Sequence, residues 1–285
     1  MTLTKDETRQ DARADVVVDP AWLEEHLDDP DLCLVEVDVS PAAYDEGHID
    51  GAVLWNVYRD LKDTSYQLVD QAAIEQLVGR SGISPDSRVV FYGYAPAMGF
   101  WLMKLYGHTN VGILDCARET WRDQGRPWTT DVNTPIATRY PLRDEREQIR
   151  ADHATVEHAI GDPTCAIVDV RTDAEFRGER FWPSGAPEPG GRAGHVPSAA
   201  HVSIDGLTDS SGAFRPAADL RRLFSSIDLT GDGAVISYCT IGGRACTAWF
   251  ALTYLLGRQH VRVYDGSWAE WGRTPGKPVE RGESR

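Results

Sequence analysis

The sequence predicts an α/β protein of two similar domains, each a mostly parallel sheet flanked by helices on both faces. Two observations predict this class. Short β-branched runs alternate with longer helical patterns along the chain, and the same order of elements recurs in both halves. Strands that alternate with helices favour a parallel sheet covered on both faces. The chain has 285 residues, and at roughly 100–200 residues per domain this length suits two domains.

The predicted elements follow the same order in each half. In the first half they are strands at 34–37, 89–92 and 111–114, with helices at 71–79 and 100–106. In the second half they are strands at 166–169, 235–238 and 261–264, with a helix at 245–256. Local matches support an internal repeat, because Gly47-His48-Ile49 recurs as Gly194-His195-Val196 and Tyr92-Gly93 recurs as Tyr238-Cys239.

The domain boundaries are predicted where composition changes. The predicted segments are a loose tail at 1–15, an N-terminal domain at 16–130, a linker at 131–150, a C-terminal domain at 151–278 and a tail at 279–285. The halves differ by an insertion rich in Pro and Gly at 179–193, between Phe176 and Gly194. Such an insertion is either a surface loop or a lid beside a site.

Composition excludes several classes of function. The net charge of −15 argues against a nucleic-acid binder, and no apolar run approaches the ~20 residues that span a bilayer. The N-terminus lacks the apolar core of a signal peptide. Five widely spaced cysteines without a C-x-x-C pair argue against a disulfide framework or a structural zinc site. We therefore expect a cytoplasmic protein with reduced cysteines and no bound metal.

One segment carries the residue types of a reactive site. Cys239 directly follows a predicted strand and precedes a predicted helix, so helix amides face it and favour a nucleophilic thiolate. Gly242 and Gly243 permit a tight backbone in which several N–H groups converge. Arg244 adds a permanent cation with planar donors. The simpler interpretation is that Cys239 is a small core residue, as we expect for the nearby Cys246.

Four segments together resemble the tandem-domain rhodanese family of thiosulfate and 3-mercaptopyruvate sulfurtransferases. They are Asp169-Val170-Arg171, Gly194–Ala199, Cys239–Arg244 and Tyr264–Trp271. The resemblance covers roughly residues 16–278. It implies two rhodanese-like domains, of which the first is inactive and the second is catalytic. Gly93, where the second half has Cys239, fits an inactive first domain.

The resemblance implies transfer of a sulfane sulfur from thiosulfate to cyanide or a thiol acceptor through a persulfide on Cys239. No metal or organic cofactor is implied. The expected substrate-binding residues are Thr240, Ile241, Gly242, Gly243, Arg244 and Arg192. The expected supporting residues are Arg171, Arg180 and Trp182. For Arg171 a structural role, in which it ties the loop to its neighbours, is favoured over contact with the substrate.

Two departures from the family pattern leave alternatives open. Glu175 stands where vertebrate-type members place a donor-binding arginine, and Thr240-Ile241 matches neither the usual thiosulfate loop nor the usual mercaptopyruvate loop. Thiosulfate is favoured as the donor, and 3-mercaptopyruvate is the first alternative. The second is a sulfur carrier or regulatory module that serves a protein acceptor. A phosphatase is disfavoured, because only four residues separate Cys239 from Arg244.

Overall fold

The computed structural model describes residues 15–227 and 232–282. It divides into two compact units. The first comprises residues 15–63, 68–146 and 208–214, and the second comprises 64–67, 147–207, 215–227 and 232–282. Most of the predicted N-terminal tail (1–14) and the end of the predicted C-terminal tail (283–285) lie outside the described residues. Within the described ranges, no helix combines the length and apolar composition needed to cross a bilayer.

The first unit is built on a five-stranded parallel sheet with the order β1-β6-β5-β2-β4. Its strands, with the short antiparallel pair β3 and β7, are β1 (Val17–Val18), β2 (Leu32–Asp38), β3 (His48–Ile49), β4 (Val53–Asn56), β5 (Arg88–Tyr92), β6 (Val111–Leu114) and β7 (Trp128–Thr129). Its helices are α1 (Pro20–Glu25), α2 (Ala42–Glu46), α3 (Gln71–Arg80), α4 (Pro96–Leu105) and α5 (Arg118–Asp123), with a π-helical turn at Val57–Leu61.

The second unit repeats this architecture with a parallel sheet in the order β10-β9-β11-β12-β8. Its strands are β8 (Arg150–Ala151), β9 (Cys165–Asp169), β10 (Ala200–His201), β11 (Ala234–Tyr238) and β12 (Val261–Tyr264). Its helices are α6 (His153–Ala159), α7 (Asp173–Phe176), α8 (Ala217–Leu223), α9 (Gly243–Phe250) and α10 (Ser267–Trp271). Short helical turns lie at Glu147–Ile149, Ile204–Gly206 and Ala251–Leu255. The predicted fold class, two mostly parallel α/β sheets, is confirmed.

The burial of the central strands explains why the sequence pattern predicts these strands well. In β5 and β11 every residue after the first is buried, whichever face of the sheet it points to. A parallel strand covered by helices on both faces is a continuous apolar run rather than an alternating one. The Val and Ile residues of β11 also suit the pleated, crowded surface of a central strand.

Two segments that the sequence assigns outside the domains make specific contacts. In the predicted linker, the Thr138 amide donates to the Gly79 carbonyl at 2.9 Å, and the Tyr140 hydroxyl lies 2.7 Å from His108 Nδ1. In the predicted C-terminal tail, the backbone of Glu280 exchanges hydrogen bonds of 2.9 and 3.0 Å with that of His195. These contacts hold residues 138–140 on the first unit and residue 280 on the second.

A buried charged network joins the ends of β9 and β11. Arg171 donates to both carboxylate oxygens of Asp169 at 2.6–3.1 Å and to the Gly194 carbonyl at 2.7 Å. The Tyr238 hydroxyl donates to Asp169 at 2.6 Å, and the Arg171 guanidinium lies 4.6 Å from the Trp268 ring centroid. Burial alone would lower the pKa of Arg171, but the charge of Asp169 raises it. The expected structural role of Arg171 agrees with these contacts.

Replacing Arg171 by Met should lower the free energy of unfolding by about 3–5 kcal/mol, because Asp169 would remain buried without its cation. Urea unfolding followed by tryptophan fluorescence measures this loss. Arg222→Met is the control, since the side chain of Arg222 is 80% exposed in a surface ion pair, and its loss should stay below about 0.5 kcal/mol. Equal losses in the two variants would contradict the structural role of Arg171.

Candidate active site

The segment with the predicted nucleophile connects β11 to α9. Gly242 has a φ of +97°, a left-handed conformation that glycine adopts without steric cost. A Cβ atom at this position would lie 2.8 Å from the Asp265 carbonyl oxygen. Both the backbone angle and the close approach therefore require glycine here. This turn brings the first amides of α9 back towards the end of β11.

Cys239 lies at the mouth of this turn and is 1% exposed. Its Sγ atom accepts a hydrogen bond from the Gly242 amide at 3.1 Å. Its own amide donates to Ser267 Oγ at 3.1 Å, and its carbonyl accepts from the Trp268 amide at 2.9 Å. The cysteine backbone is thus held from both sides by α10. An amide directed at Sγ stabilises negative charge on sulfur, as a nucleophilic thiol requires.

Ser267 is a strained residue that supports Cys239. Its φ of +53° is uncommon for a residue with a side chain. The Ser267 hydroxyl donates to the Tyr264 carbonyl at 2.7 Å while accepting from the Cys239 amide. Such strain persists where surrounding contacts determine the conformation, and it is common at functional sites. We did not identify Ser267 from the sequence, because nothing in the local pattern predicts a positive φ at a serine.

A buried carboxylate closes the other end of the loop. Glu175 accepts two hydrogen bonds from the Arg244 guanidinium, at 2.9 and 2.8 Å, in a bidentate pair. The Thr240 hydroxyl donates to the same carboxylate at 2.6 Å, and Arg244 also donates to that hydroxyl at 2.6 Å. Glu175 has no exposed surface, whereas 17% of the Arg244 side chain is exposed. The side chains of Thr240 and Arg244 therefore point to Glu175 within one network.

The charge of Glu175 follows from its surroundings. Burial would raise the pKa of this carboxyl, but the hydrogen bonds and charge of Arg244, with the Thr240 hydroxyl, lower it to about 2. Thr172 contributes a capping box, in which its amide and hydroxyl donate to Glu175 at 3.1 and 2.9 Å. The spacing Thr172-x-x-Glu175 is the sequence signature of this cap. It could have identified Glu175 as a fixed residue rather than as the position of a missing arginine.

Not all of the predicted residues come together. Cys239, Thr240, Gly242 and Arg244 form one site through the contacts above, and Gly243 begins α9 between them. Ile241 is partly exposed in the same turn.

Arg192, predicted to bind substrate, lies elsewhere. Its guanidinium donates to the carbonyls of Trp271, Gly272, Thr274 and Lys277, at and after the end of α10. None of these contacts joins Arg192 to the loop at 239–244, and its predicted role in substrate binding stays a prediction. The arginine closes the C-terminal end of the helix, where unpaired carbonyls attract cations.

The insertion residues form a separate cluster within the second unit. Arg180 donates to the Pro183 carbonyl at 2.8 Å. The Trp182 indole donates to Glu188 at 2.9 Å, and its ring lies 5.3 Å from that of Tyr66. None of the hydrogen bonds found among the described residues joins Arg180 or Trp182 to the loop at 239–244. The supporting role predicted for these two residues stays a prediction.

The first unit has a different arrangement at the equivalent strand end. Glu36 pairs with Tyr92 in the register in which Asp169 pairs with Tyr238. Gly93 follows with a φ of +99°, and a Cβ there would lie 2.8 Å from Glu36 Cγ. Glu36 is buried, and burial raises its pKa although Arg118 lies beside it at 3.3 Å. The longer carboxylate fills the space next to residue 93 that a cysteine side chain would need.

These features agree with the comparisons to known proteins. The family model described as a rhodanese-like domain matches residues 19–124 and again residues 152–274. The chain therefore belongs to the rhodanese family, in its tandem-domain form.

Two relatives match over nearly their whole length. A Haloferax volcanii protein named "Putative thiosulfate sulfurtransferase" is 40% identical, over 96% of this chain and 99% of that protein. The "Sulfur carrier protein TtuD" of Thermus thermophilus is 38% identical, over 95% of this chain and 99% of that protein. The first name supports sulfurtransferase activity.

Solved structures with lower identity share the fold. The structure of wild-type EanB has a TM-score of 0.84 at 19% identity, over 95% of this chain and 70% of that chain. The structure of YnjE has a TM-score of 0.80 at 24% identity, over 94% of this chain and 68% of that chain. At these identities the likeness concerns the fold alone.

Replacing Gly242 by Ala should lower the free energy of unfolding by about 3 kcal/mol, because the left-handed backbone and the Asp265 carbonyl both oppose a Cβ. Gly161→Ala is a matched control, since its φ of +74° is also left-handed but no atom lies within 4 Å of its Cβ position. Its loss should be about 1 kcal/mol. Urea unfolding of both variants measures the difference. Losses of equal size would show that the close approach of the Asp265 carbonyl adds no cost to the free energy of unfolding.

The Glu175 ion pair should make stability depend on pH in the acid range. A carboxyl whose folded pKa of about 2 lies below the unfolded value of about 4.3 stabilises the protein fully above pH ~4.3. This contribution, about 3 kcal/mol, is lost as the pH falls towards 2. Wild type should therefore exceed Glu175→Gln in urea midpoint at pH 6, and the gap should narrow steadily below pH ~4. A gap that stays constant over this range would contradict the assignment.

Proposed function

We propose that the protein transfers a sulfane sulfur from thiosulfate to cyanide or a thiol acceptor through a persulfide on Cys239. The observation that carries this proposal is the Gly242 amide directed at Cys239 Sγ, at the turn that begins α9. Family membership and the name of the Haloferax volcanii relative support the same chemistry. The second domain is the catalytic one. The first, with Gly93 in place of the cysteine and Glu36 beside it, is inactive.

The reaction has two half-reactions that leave the enzyme unchanged. The Cys239 thiolate attacks the outer sulfur of thiosulfate, a new S–S bond forms, and sulfite leaves with the electrons of the S–S bond that breaks. The terminal persulfide sulfur is then attacked by cyanide, which leaves as thiocyanate and restores the thiolate. This is covalent catalysis with ping-pong kinetics. No electron donor or acceptor outside these reactants is required.

The loop stabilises negative sulfur with backbone dipoles. The Gly242 amide already donates to Sγ at the turn that begins α9. Fixed donors at the position where charge develops lower the barrier without reorganisation. Ser267 and Trp268 hold the Cys239 backbone, so the sulfur keeps its position through both half-reactions.

Two alternatives concern the reactants rather than the chemistry. 3-Mercaptopyruvate is an alternative donor, because Thr240-Ile241 follows neither family loop pattern. A protein sulfur acceptor is an alternative destination, and the relative named a sulfur carrier favours it. All five cysteines are free thiols, and a reducing cytoplasm suits a protein whose active group is one of them.

Brief treatment of the reduced protein with thiosulfate should add one sulfur atom to the wild type, and cyanide should remove it. Intact mass spectrometry measures both steps. Cys239→Ser should gain no sulfur, because it lacks the nucleophile. Cys246→Ala is the matched control, since Cys246 is also buried and lies on α9, the helix that follows the loop with Cys239. It should gain sulfur like the wild type. Sulfur on Cys239→Ser, or none on the wild type with either thiosulfate or 3-mercaptopyruvate, would refute the proposal.

A further inference from the structure

The loop of the proposed site contains one charged side chain, and that charge is compensated. Among residues 240–244, which follow the nucleophile, only Arg244 has an ionisable side chain. Its guanidinium faces Glu175 in a bidentate pair at 2.8 and 2.9 Å. A bidentate guanidinium–carboxylate pair is among the stronger and more directional ion pairs in proteins. The pair as a unit carries no net charge.

Glu175 cannot easily turn away from this pair. Oε1 also accepts from the Thr240 hydroxyl at 2.6 Å, and Oε2 accepts from the Thr172 hydroxyl and amide at 2.9 and 3.1 Å. The carboxylate is fully buried, and its pKa of about 2 keeps it ionised at neutral pH. A donor anion that displaced Glu175 from Arg244 would leave a buried charge unpaired, which is strongly unfavourable.

The compensated loop attracts anions that approach Cys239 only weakly. A free cation beside the thiol would attract a small dianion, but an ion pair presents only a weaker dipolar field. The protein as a whole carries a net charge of −15 and repels anions. Within the loop itself, the Gly242 amide is a neutral donor directed at the sulfur.

We propose that Glu175 tunes donor binding by neutralising Arg244, so that a dianionic donor such as thiosulfate, relative to a donor of lower charge, binds more weakly than it would without Glu175. This inference rests on the proposed sulfur transfer through Cys239. Glu175 acts through Arg244 and does not touch the reacting sulfur, so it is a specificity-determining residue rather than a catalytic one. Its effect should scale with the charge on the donor.

Two donors that differ by one charge test this inference. Thiosulfate is a dianion, and methanethiosulfonate is a monoanion with a methyl group in place of one oxygen. In each case the Cys239 thiolate attacks the outer sulfur, and sulfite or methanesulfinate leaves with the bonding electrons. The two steady-state KM values, with cyanide as the acceptor, are compared between wild type and Glu175→Gln.

In Glu175→Gln the Arg244 charge loses the compensation that Glu175 supplies, and an interaction with a dianion changes about twice as much as one with a monoanion. We expect the KM for thiosulfate to fall roughly tenfold and that for methanethiosulfonate roughly threefold. Thr240→Val is the matched control, because it removes the hydrogen bonds of the Thr240 hydroxyl to Glu175 and from Arg244 without changing any charge. It should alter both KM values by the same factor. Equal changes for the two donors in Glu175→Gln, or a higher KM for thiosulfate, would overturn the proposal.

A second test uses only the wild-type protein and measures how the KM for thiosulfate depends on salt concentration. With a compensated loop, the net negative protein repels thiosulfate, so KM should fall as ionic strength rises from about 0.01 M to about 0.15 M. A KM that rises with salt would show that a free cation attracts the donor, and would overturn the inference. Failure of the underlying sulfur transfer is distinguished from both results, because no persulfide would then form on the wild type with either donor.

Discussion

The arrangement of the site depends on one buried ion pair between Glu175 and Arg244. Glu175 belongs to α7, which follows β9, whereas Arg244 belongs to the first turn of α9, which follows β11. The bidentate pair therefore links two helices that begin at the ends of adjacent parallel strands. Because the pair is buried, loss of either partner would leave an uncompensated buried charge and destabilise the fold. The loop with Cys239 lies between these strands and helices and takes its shape from both.

A second buried network lies at the same strand ends and stabilises them. Asp169, Arg171 and Tyr238 connect β9, β11 and the turn at Gly194. Its counterpart in the first unit contains Glu36 and Tyr92. There the cation comes from Arg118 of α5 rather than from the residue two positions after the acid. With Glu36 beside Gly93, the same fold is stable without space for a nucleophile at this strand end.

The fold, and the proximity of the residues around Cys239, could be predicted from the sequence for local reasons. Strands such as β11 are continuous apolar runs, and their period and length are visible without any partner. Cys239, Gly242 and Arg244 lie within six positions of one another, so their proximity is a consequence of one turn. The contacts of Arg192 could not be predicted, because its charge is visible in the sequence and its acceptors are not. Those acceptors are backbone carbonyls about 80 residues later in the chain.

The sequence by itself determined the α/β class, the internal repeat and the cysteine at the start of a helix, because each depends on residues close together in the chain. Only the tertiary structure decided which groups surround that cysteine. Glu175 meets Arg244 across 69 positions, and Ser267 meets Cys239 across 28. The charge available at the loop is set by the first of these contacts. A pairwise electrostatic interaction depends on distance in space, which the order of residues along the chain does not contain.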